Sequence, residues 1–304
     1  MKTEMPKIIN LCVVRGKCPA RCVHCPVGEV PVNSRKDKFG YGFMNIQDFK
    51  KLCLQILEFG NDSLPCLRIH GIGEPALWDS LHEALIFAKD NKIKTWVFTM
   101  GLGLDAADFI DTFSHADIVE FSINSVNVED FKDTKRLGEK DFQEIVGRME
   151  KLAKLTNRPK ILLSRVQTKN SEKDAEFINY WQSKNLFDDV FIRSFHDYGE
   201  RIKDKDGLLS DKIHDIAGKS CLVPSARMNI DGVLKIAVRC FNELFDTPET
   251  VLHKSIGFID NESLIDIWYG QKMDDWRQHT FQYEQCSKCR SCQPVNPNTS
   301  EKQL

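Results

Sequence analysis

The chain has 304 residues, enough for one large α/β domain with an appendage or for two ordinary domains. Its 42 basic and 44 acidic side chains leave a formal charge of −2, so no global field draws it to nucleic acid or to an anionic membrane. No apolar run approaches the ~20 residues of a membrane span and no secretory signal opens the chain, which reads as cytoplasmic with a small or neutral partner.

The first element is an apolar strand through Ile8, Ile9, Leu11, Val13 and Val14. Directly after it, Cys18, Cys22 and Cys25 place three thiols in eight residues with the spacing C-x3-C-x2-C. Thiolates are soft donors, suited to an iron–sulfur cube or to zinc, and three of them leave four-thiolate coordination one ligand short. The spacing favours iron, and a cluster iron without a protein ligand is open to a small chelating molecule.

From residue 45 to about 195 helical and extended patterns alternate with short connections, the rhythm of a parallel sheet wrapped by helices. Helical stripes run through Phe49, Leu52, Cys53, Ile56 and Leu57, through Leu81, Ala84, Leu85 and Ala88, and through Phe142, Ile145, Val146 and Met149. Between them lie short apolar runs at 67–69, 96–98, 118–123, 161–166 and 190–192, which with the opening strand make six. Six βα units exceed a small open sheet and fall short of a closed eight-fold barrel. The expectation is therefore a partial TIM-like (β/α)6 barrel, with chemistry where strands end and βα loops begin. The cysteine loop follows strand one at that end. Cys12, Cys53 and Cys66 fall in strand or helix patterns, where cysteine behaves as a small hydrophobe.

After residue 200 the pattern changes. Charged residues and glycine in 200–207 read as a linker, and a second cysteine group follows at Cys221, Cys240, Cys286, Cys289 and Cys292. Reduced thiols at such close spacings in a cytosolic protein point to metal rather than disulfides. Residues 227–240 read as a hairpin turning at Asp231-Gly232, and 263–278 as one helix through Leu264, Ile267, Trp268 and Met273. The expected organisation is a barrel over 1–200, a small cysteine-rich β-hairpin plus helix module over 215–293, and a disordered tail over 294–304.

The cysteine loop resembles the signature loop of the radical S-adenosylmethionine (SAM) enzymes. His70-Gly71-Ile72-Gly73-Glu74-Pro75 is similar to the Gly-Gly-Glu-Pro motif with which that family binds the methionine amino group, with one glycine displaced by Ile72. The resemblance implies cofactor contacts from Gly73 and Glu74, and from Ser122, Asn124 and Arg136, with Lys135 an alternative to Arg136 for the cofactor carboxylate. Thr99-Met100-Gly101 stands where the family often has Thr-Asn-Gly. His24 stands where the family commonly has an aromatic residue near adenine, and imidazole can stack there. The five C-terminal cysteines occur in the order of the SPASM and shorter twitch modules, which carry auxiliary iron–sulfur clusters. A full SPASM module has seven, so one auxiliary 4Fe–4S cluster beside the SAM-binding 4Fe–4S cluster is expected, with a four-thiol zinc site the other reading.

Five thiols for four positions leave one over. Cys240, Cys286 and Cys292, with His196 and Tyr198, are therefore candidate catalytic residues, and His70 and Ser194 candidate substrate contacts. The chain looks like aminoglycoside or sugar epimerases and aminocyclitol dehydrogenases. That likeness implies hydrogen abstraction from a small polar substrate, ending in epimerisation or alternatively in dehydrogenation, with electrons from a donor such as flavodoxin or ferredoxin. Only 17 residues precede Cys18, too few for the leader-binding domain of many peptide-modifying relatives; peptide modification is the further alternative. A non-catalytic zinc or redox-sensing protein is the remote one.

Overall fold

The computed structural model describes residues 4–60, 64–196, 198–199, 201–202, 221 and 223–280. Strand β1 (Ile8–Cys12), buried at every residue, leads into β2 (Val14–Arg15), which pairs with β3 (Gly42–Phe43) in a small separate sheet. Between them lie the cysteine loop and the short helices α1 (Pro26–Glu29) and α2 (Arg35–Phe39). Helix α3 (Ile46–Leu57) starts where the Asn45 side chain accepts from the Gln47 amide, and it buries Phe49, Leu52, Cys53 and Ile56.

The βα alternation then proceeds as the periodicities indicate: β4 (Cys66–His70), α4 (Leu81–Asp90), β5 (Thr95–Thr99), α5 (Ala106–Ser114) and β6 (Ile118–Phe121). Helices α6 (Val128–Lys135) and α7 (Glu139–Ala153), β7 (Lys160–Val166), α8 (Ser171–Ser183) and β8 (Asp189–Arg193) follow. Asp105, Asn127 and Asn170 cap α5, α6 and α8 by accepting backbone N–H groups that the first turn leaves without partners. The parallel order β1-β4-β5-β6-β7-β8 is the six-stranded partial barrel expected from the sequence.

Past residue 220 come α9 (Val223–Ala226), β9 (Arg227–Asp231), β10 (Ile236–Val238), α10 (Pro248–His253), β11 (Gly257–Phe258), α11 (Leu264–Tyr269) and α12 (Gln271–His279). These strands extend the barrel sheet. β9 pairs parallel with β1 from Ile8↔Arg227 to Cys12↔Asp231, and β10 and β11 add antiparallel beyond it. An all-buried β1 would otherwise present an open edge, and β9 closes it.

Two local expectations are corrected. The hairpin turns over 232–235 rather than at a two-residue Asp231-Gly232 loop, because Asp231 is still paired with Ile236. Its Oδ1 accepts from the Val233 and Leu234 amides, and Lys235 takes positive φ. Gly232 serves close approach: its amide donates to the Cys12 carbonyl, and an added Cβ would stand 2.4 Å from Met44 Sδ. The helix expected over 263–278 is two helices broken at Gly270, whose extended backbone ends α11 and opens α12.

Cys12, Cys53 and Cys66 are buried, as the small-hydrophobe reading has it. Cys286, Cys289 and Cys292, the tail over 294–304 and most of the 200–207 segment lie outside the described residues. No helix among the described residues is long and apolar enough to cross a membrane.

Candidate active site

Strand alternation builds the lumen. On β4 to β7 the apolar residues Cys66, Trp96, Ile118 and Leu162 pack together on the inner face, while Leu67, Ile69, Val97 and Leu163 face the helices. Inner-face positions nearer the strand ends are polar: Asn10 on β1, Arg68 and His70 on β4, Glu120 on β6, Arg193 on β8 and Asn229 on β9, with Arg227 lower on β9 at the level of Cys66. Asn10 Nδ2 donates to Asn229 Oδ1 at 2.8 Å, and Arg193 grips Glu120 through both carboxylate oxygens at 2.7 and 2.6 Å. Apart from His70, the sequence reading missed this lumen set. Its visible signal is a charged or amide residue at an alternate position of an otherwise apolar strand, as Arg68 in Cys-Leu-Arg-Ile-His and Glu120 in Ile-Val-Glu-Phe.

Above these residues opens a cavity of about 340 Å³. It brings together Cys22, His24 and Cys25 from the cysteine loop, His70 at the end of β4, Gly73 and Glu74 from the loop after it, Ser122 after β6, Ser194, His196 and Tyr198 after β8, and Cys240 after β10. These residues are scattered over 219 positions of sequence; the strand ends converge on one mouth.

The cysteine loop is held from three sides. Arg35, fully buried, donates to the carbonyls of Cys18 at 2.7 Å, Ala20 at 2.9 Å and Val30 at 3.1 Å. The Arg21 and Val23 amides donate to Lys135 and Thr134 carbonyls at the end of α6. Gly28 is required where it stands, since an added Cβ would meet the Cys22 carbonyl oxygen at 2.1 Å. Burial pushes the Cys25 thiol up to about 11 and the Cys18 thiol well above its ordinary value. Three soft donors on a braced loop suit an iron–sulfur cluster.

Glu74 is nearly fully buried. Its carboxylate accepts from Thr99 Oγ1, from the Met100 amide at 2.8 Å and from the Ala76 amide at 3.1 Å, so strand β5 positions it. Burial lifts it to about 7 despite those bonds. Ile72, the residue interrupting the glycine pair, is buried against Cys12, Val27 and Phe39. Gly73 lies tight against Val14 and Lys17, whose carbonyl accepts from the Glu74 amide.

Four of the described candidate site residues, Cys18, Asn124, Arg136 and Cys221, are absent from the cavity lining. Arg136 takes a left-handed conformation at the end of α6 (φ 56°) and is absent from the cavity lining, whereas Lys135, 2% exposed, lines it. Asn124 also has positive φ and is likewise absent from the lining. Its Nδ2 donates to the Ser122 carbonyl and its Oδ1 accepts from the Val166 amide at 2.7 Å, so it joins β6 to β7. Cys221 is described but lies outside the lining.

Burial lowers the basicity of His24, reinforced by Lys135 and Arg165, and of His70, reinforced by Arg68, Arg227 and Arg193. Both imidazoles are thereby kept neutral at ordinary pH. The His70 ring lies 4.4 Å from the Phe241 ring, and its Nε2 has no hydrogen-bond partner among the described residues.

Residues 221–293 match the family model of the SPASM iron–sulfur cluster-binding domain. Over nearly its whole length the fold matches solved structures at low identity. BtrN in complex with AdoMet and 2-DOIA aligns with TM-score 0.53 and 16% identity, covering 98% of this chain and 96% of that one. The chain has the radical SAM fold and carries a SPASM module. The Streptococcus suis protein SuiB bound to precursor peptide SuiA shares that fold (TM-score 0.68, 15% identity, 94% of this chain and 70% of that one). So does anSMEcpe with AdoMet and Cp18Cys peptide (TM-score 0.61, 15% identity, 94% and 88%). No curated protein matches the sequence. The family match places iron–sulfur cluster binding in residues 221–293.

Proposed function

We propose that this radical SAM protein epimerises a carbon centre of a small polar substrate of the sugar or aminocyclitol class. When bound, the first cluster and SAM together supply a 5′-deoxyadenosyl radical that removes a hydrogen atom from substrate carbon. Glu74, braced on β5, offers its carboxylate to the cofactor ammonium, and Lys135 its ammonium to the cofactor carboxylate. His24 lies beside Cys25 in the same mouth and offers a neutral ring to adenine. The polar lumen below presents Asn10, His70 and Asn229 to hydroxyl or amine groups; the His70 Nε2 is a buried polar atom that a substrate hydroxyl would satisfy.

The observation that carries this reading is the position of Cys240, whose residue lines the same cavity as Glu74 and His70. A thiol there can return a hydrogen atom to the opposite face of the substrate radical and be restored to S–H by one electron and one solvent proton. Turnover in deuterated water tests it. The expected product carries one deuterium at the inverted carbon, and Cys240→Ala cleaves SAM without inverting substrate. A product two hydrogens lighter and free of deuterium at that carbon selects dehydrogenation and refutes epimerisation.

A peptide substrate is the second reading. It is favoured by the peptide-bound SuiB and anSMEcpe structures sharing the fold. An electron donor of the flavodoxin or ferredoxin kind is proposed for either chemistry.

A further inference from the structure

Away from the cavity, on the outer layer of the barrel, α4 and α5 bring two imidazoles and a carboxylate together. His82 comes from the first turn of α4; Asp111 and His115 stand four residues apart on α5 and its C-cap. One ligating atom from each lies within 4.8 Å of the other two. His82 Nδ1 is 3.6 Å from one Asp111 oxygen, and His115 Nε2 is 4.0 Å from the other. The two rings meet edge to face with centroids 5.2 Å apart, and Thr112 Oγ1 sits 3.5 Å from His82 Nδ1.

Nothing in the chemistry of the cavity uses these groups. We propose that His82, Asp111 and His115 form a binding site for a divalent transition-metal cation, zinc in the first instance, which clamps α4 to α5. Two imidazole nitrogens and one carboxylate oxygen are borderline donors of the kind zinc takes, and a water completes four-coordination. Bonds of about 2.0–2.1 Å to a tetrahedral ion put donor atoms roughly 3.3 Å apart. The observed spacings reach that by small side-chain rotations. The i, i+4 pairing of Asp111 and His115 fixes two donors on one helical face, and His82 supplies the third from the adjacent helix.

The His115 imidazole also meets the requirement that a ligand be unprotonated. Burial, with Lys89 and His82 nearby, lowers the basicity of His115 against the opposing pull of Asp111 and Asp90. The clamped helices flank β5 in chain order, the strand whose end positions Glu74. An ion there ties the outer layer together behind the site without entering it.

The test compares cluster-reconstituted wild type with His82→Gln/His115→Gln by anaerobic equilibrium dialysis against micromolar zinc. Thiol sites are common to both proteins and cancel in the difference. Wild type is expected to hold one more zinc ion per chain, to lose affinity roughly a hundredfold per pH unit once both imidazoles protonate, and to melt several degrees higher with zinc. The double variant gains no such stabilisation and cleaves SAM at the wild-type rate. Asp111→Asn, at a position 69% exposed and tolerant of change, keeps both imidazoles and is expected to bind at least tenfold more weakly. Equal zinc uptake by wild type and both variants, or a wild-type excess indifferent to pH between 5 and 7, overturns the site.

Discussion

Replacing Arg165 with Met should cost about 3 kcal/mol and loosen the cysteine loop from behind. Arg165 is 1% exposed on β7, and one guanidinium serves three partners. Its Nε donates to Asp174 Oδ1 at 2.9 Å, and its terminal nitrogens donate to the Asp130 carboxylate and the Asn124 carbonyl. Removing one member of a buried ion cluster costs about 3–5 kcal/mol, because the remaining charges stay buried without compensation. The lower end applies here, since Lys173 Nζ lies 3.6 Å from Asp130 and relieves part of that charge. Arg165→Lys keeps the charge but cannot reach Asp130, Asp174 and Asn124 at once, and should lose about half as much. For a chain of 304 residues the Met variant should melt roughly 5 °C lower.

Urea unfolding followed by tryptophan fluorescence is the assay. Trp181 reports locally, because its Nε1 donates to the Ser125 carbonyl at 3.1 Å beside the same network. The functional link runs through α6. Asp130 lies on that helix, whose final carbonyls at Thr134 and Lys135 hold the Arg21 and Val23 amides. Weaker SAM binding should accompany the lost stability. A Met variant within 1 kcal/mol of wild type, with unchanged SAM affinity, would refute the reasoning.

Three further outcomes are expected. Lys135→Met should weaken SAM binding at least tenfold while Arg136→Met leaves it near wild type; calorimetric titration giving the reverse order would reject the placement of the two side chains. Because burial holds Glu74 near 7 against an ordinary 4.5, the folded chain keeps that proton to higher pH than the unfolded chain. Its contribution is therefore largest below the ordinary value and is lost, by about 3 kcal/mol, as pH climbs from about 4.5 through 7. Glu74→Gln should flatten that slope in cluster-free protein, and an unchanged slope would count against it. With two cubane clusters, reconstituted wild type should carry about eight iron atoms and the Cys18/Cys22/Cys25 triple Ala variant about four, with no 5′-deoxyadenosine formed. Iron near four in wild type together with stoichiometric zinc would make the C-terminal thiols a zinc site.

What the sequence determined by itself is what local periodicity and spacing encode. The stripes at Phe49, Leu52 and Ile56 and at Leu81, Leu85 and Ala88 could only bury themselves against a sheet, and the short β-rich runs between them supplied its six strands. The cysteine spacing and the His70–Pro75 run needed no tertiary information, because each is one loop whose chemistry is contiguous in the chain. Tertiary structure decided everything that depends on which edge pairs with which, and on where a helix stops. The hairpin of the C-terminal module joins the barrel sheet because β1 has an edge to close, and no property local to residues 227–240 reports that edge. Which of Lys135 and Arg136 lines the cavity turned on one residue of helix termination: α6 ends in a left-handed turn at Arg136, and Lys135 is the one in the lining. Asn124 has the composition of a ligand contact, yet its positive φ aims it at the β7 backbone. The pairing of Asn10 with Asn229 across 219 residues exists only once β9 lies against β1, since hydrogen bonds are made in space and the chain's order is silent about them.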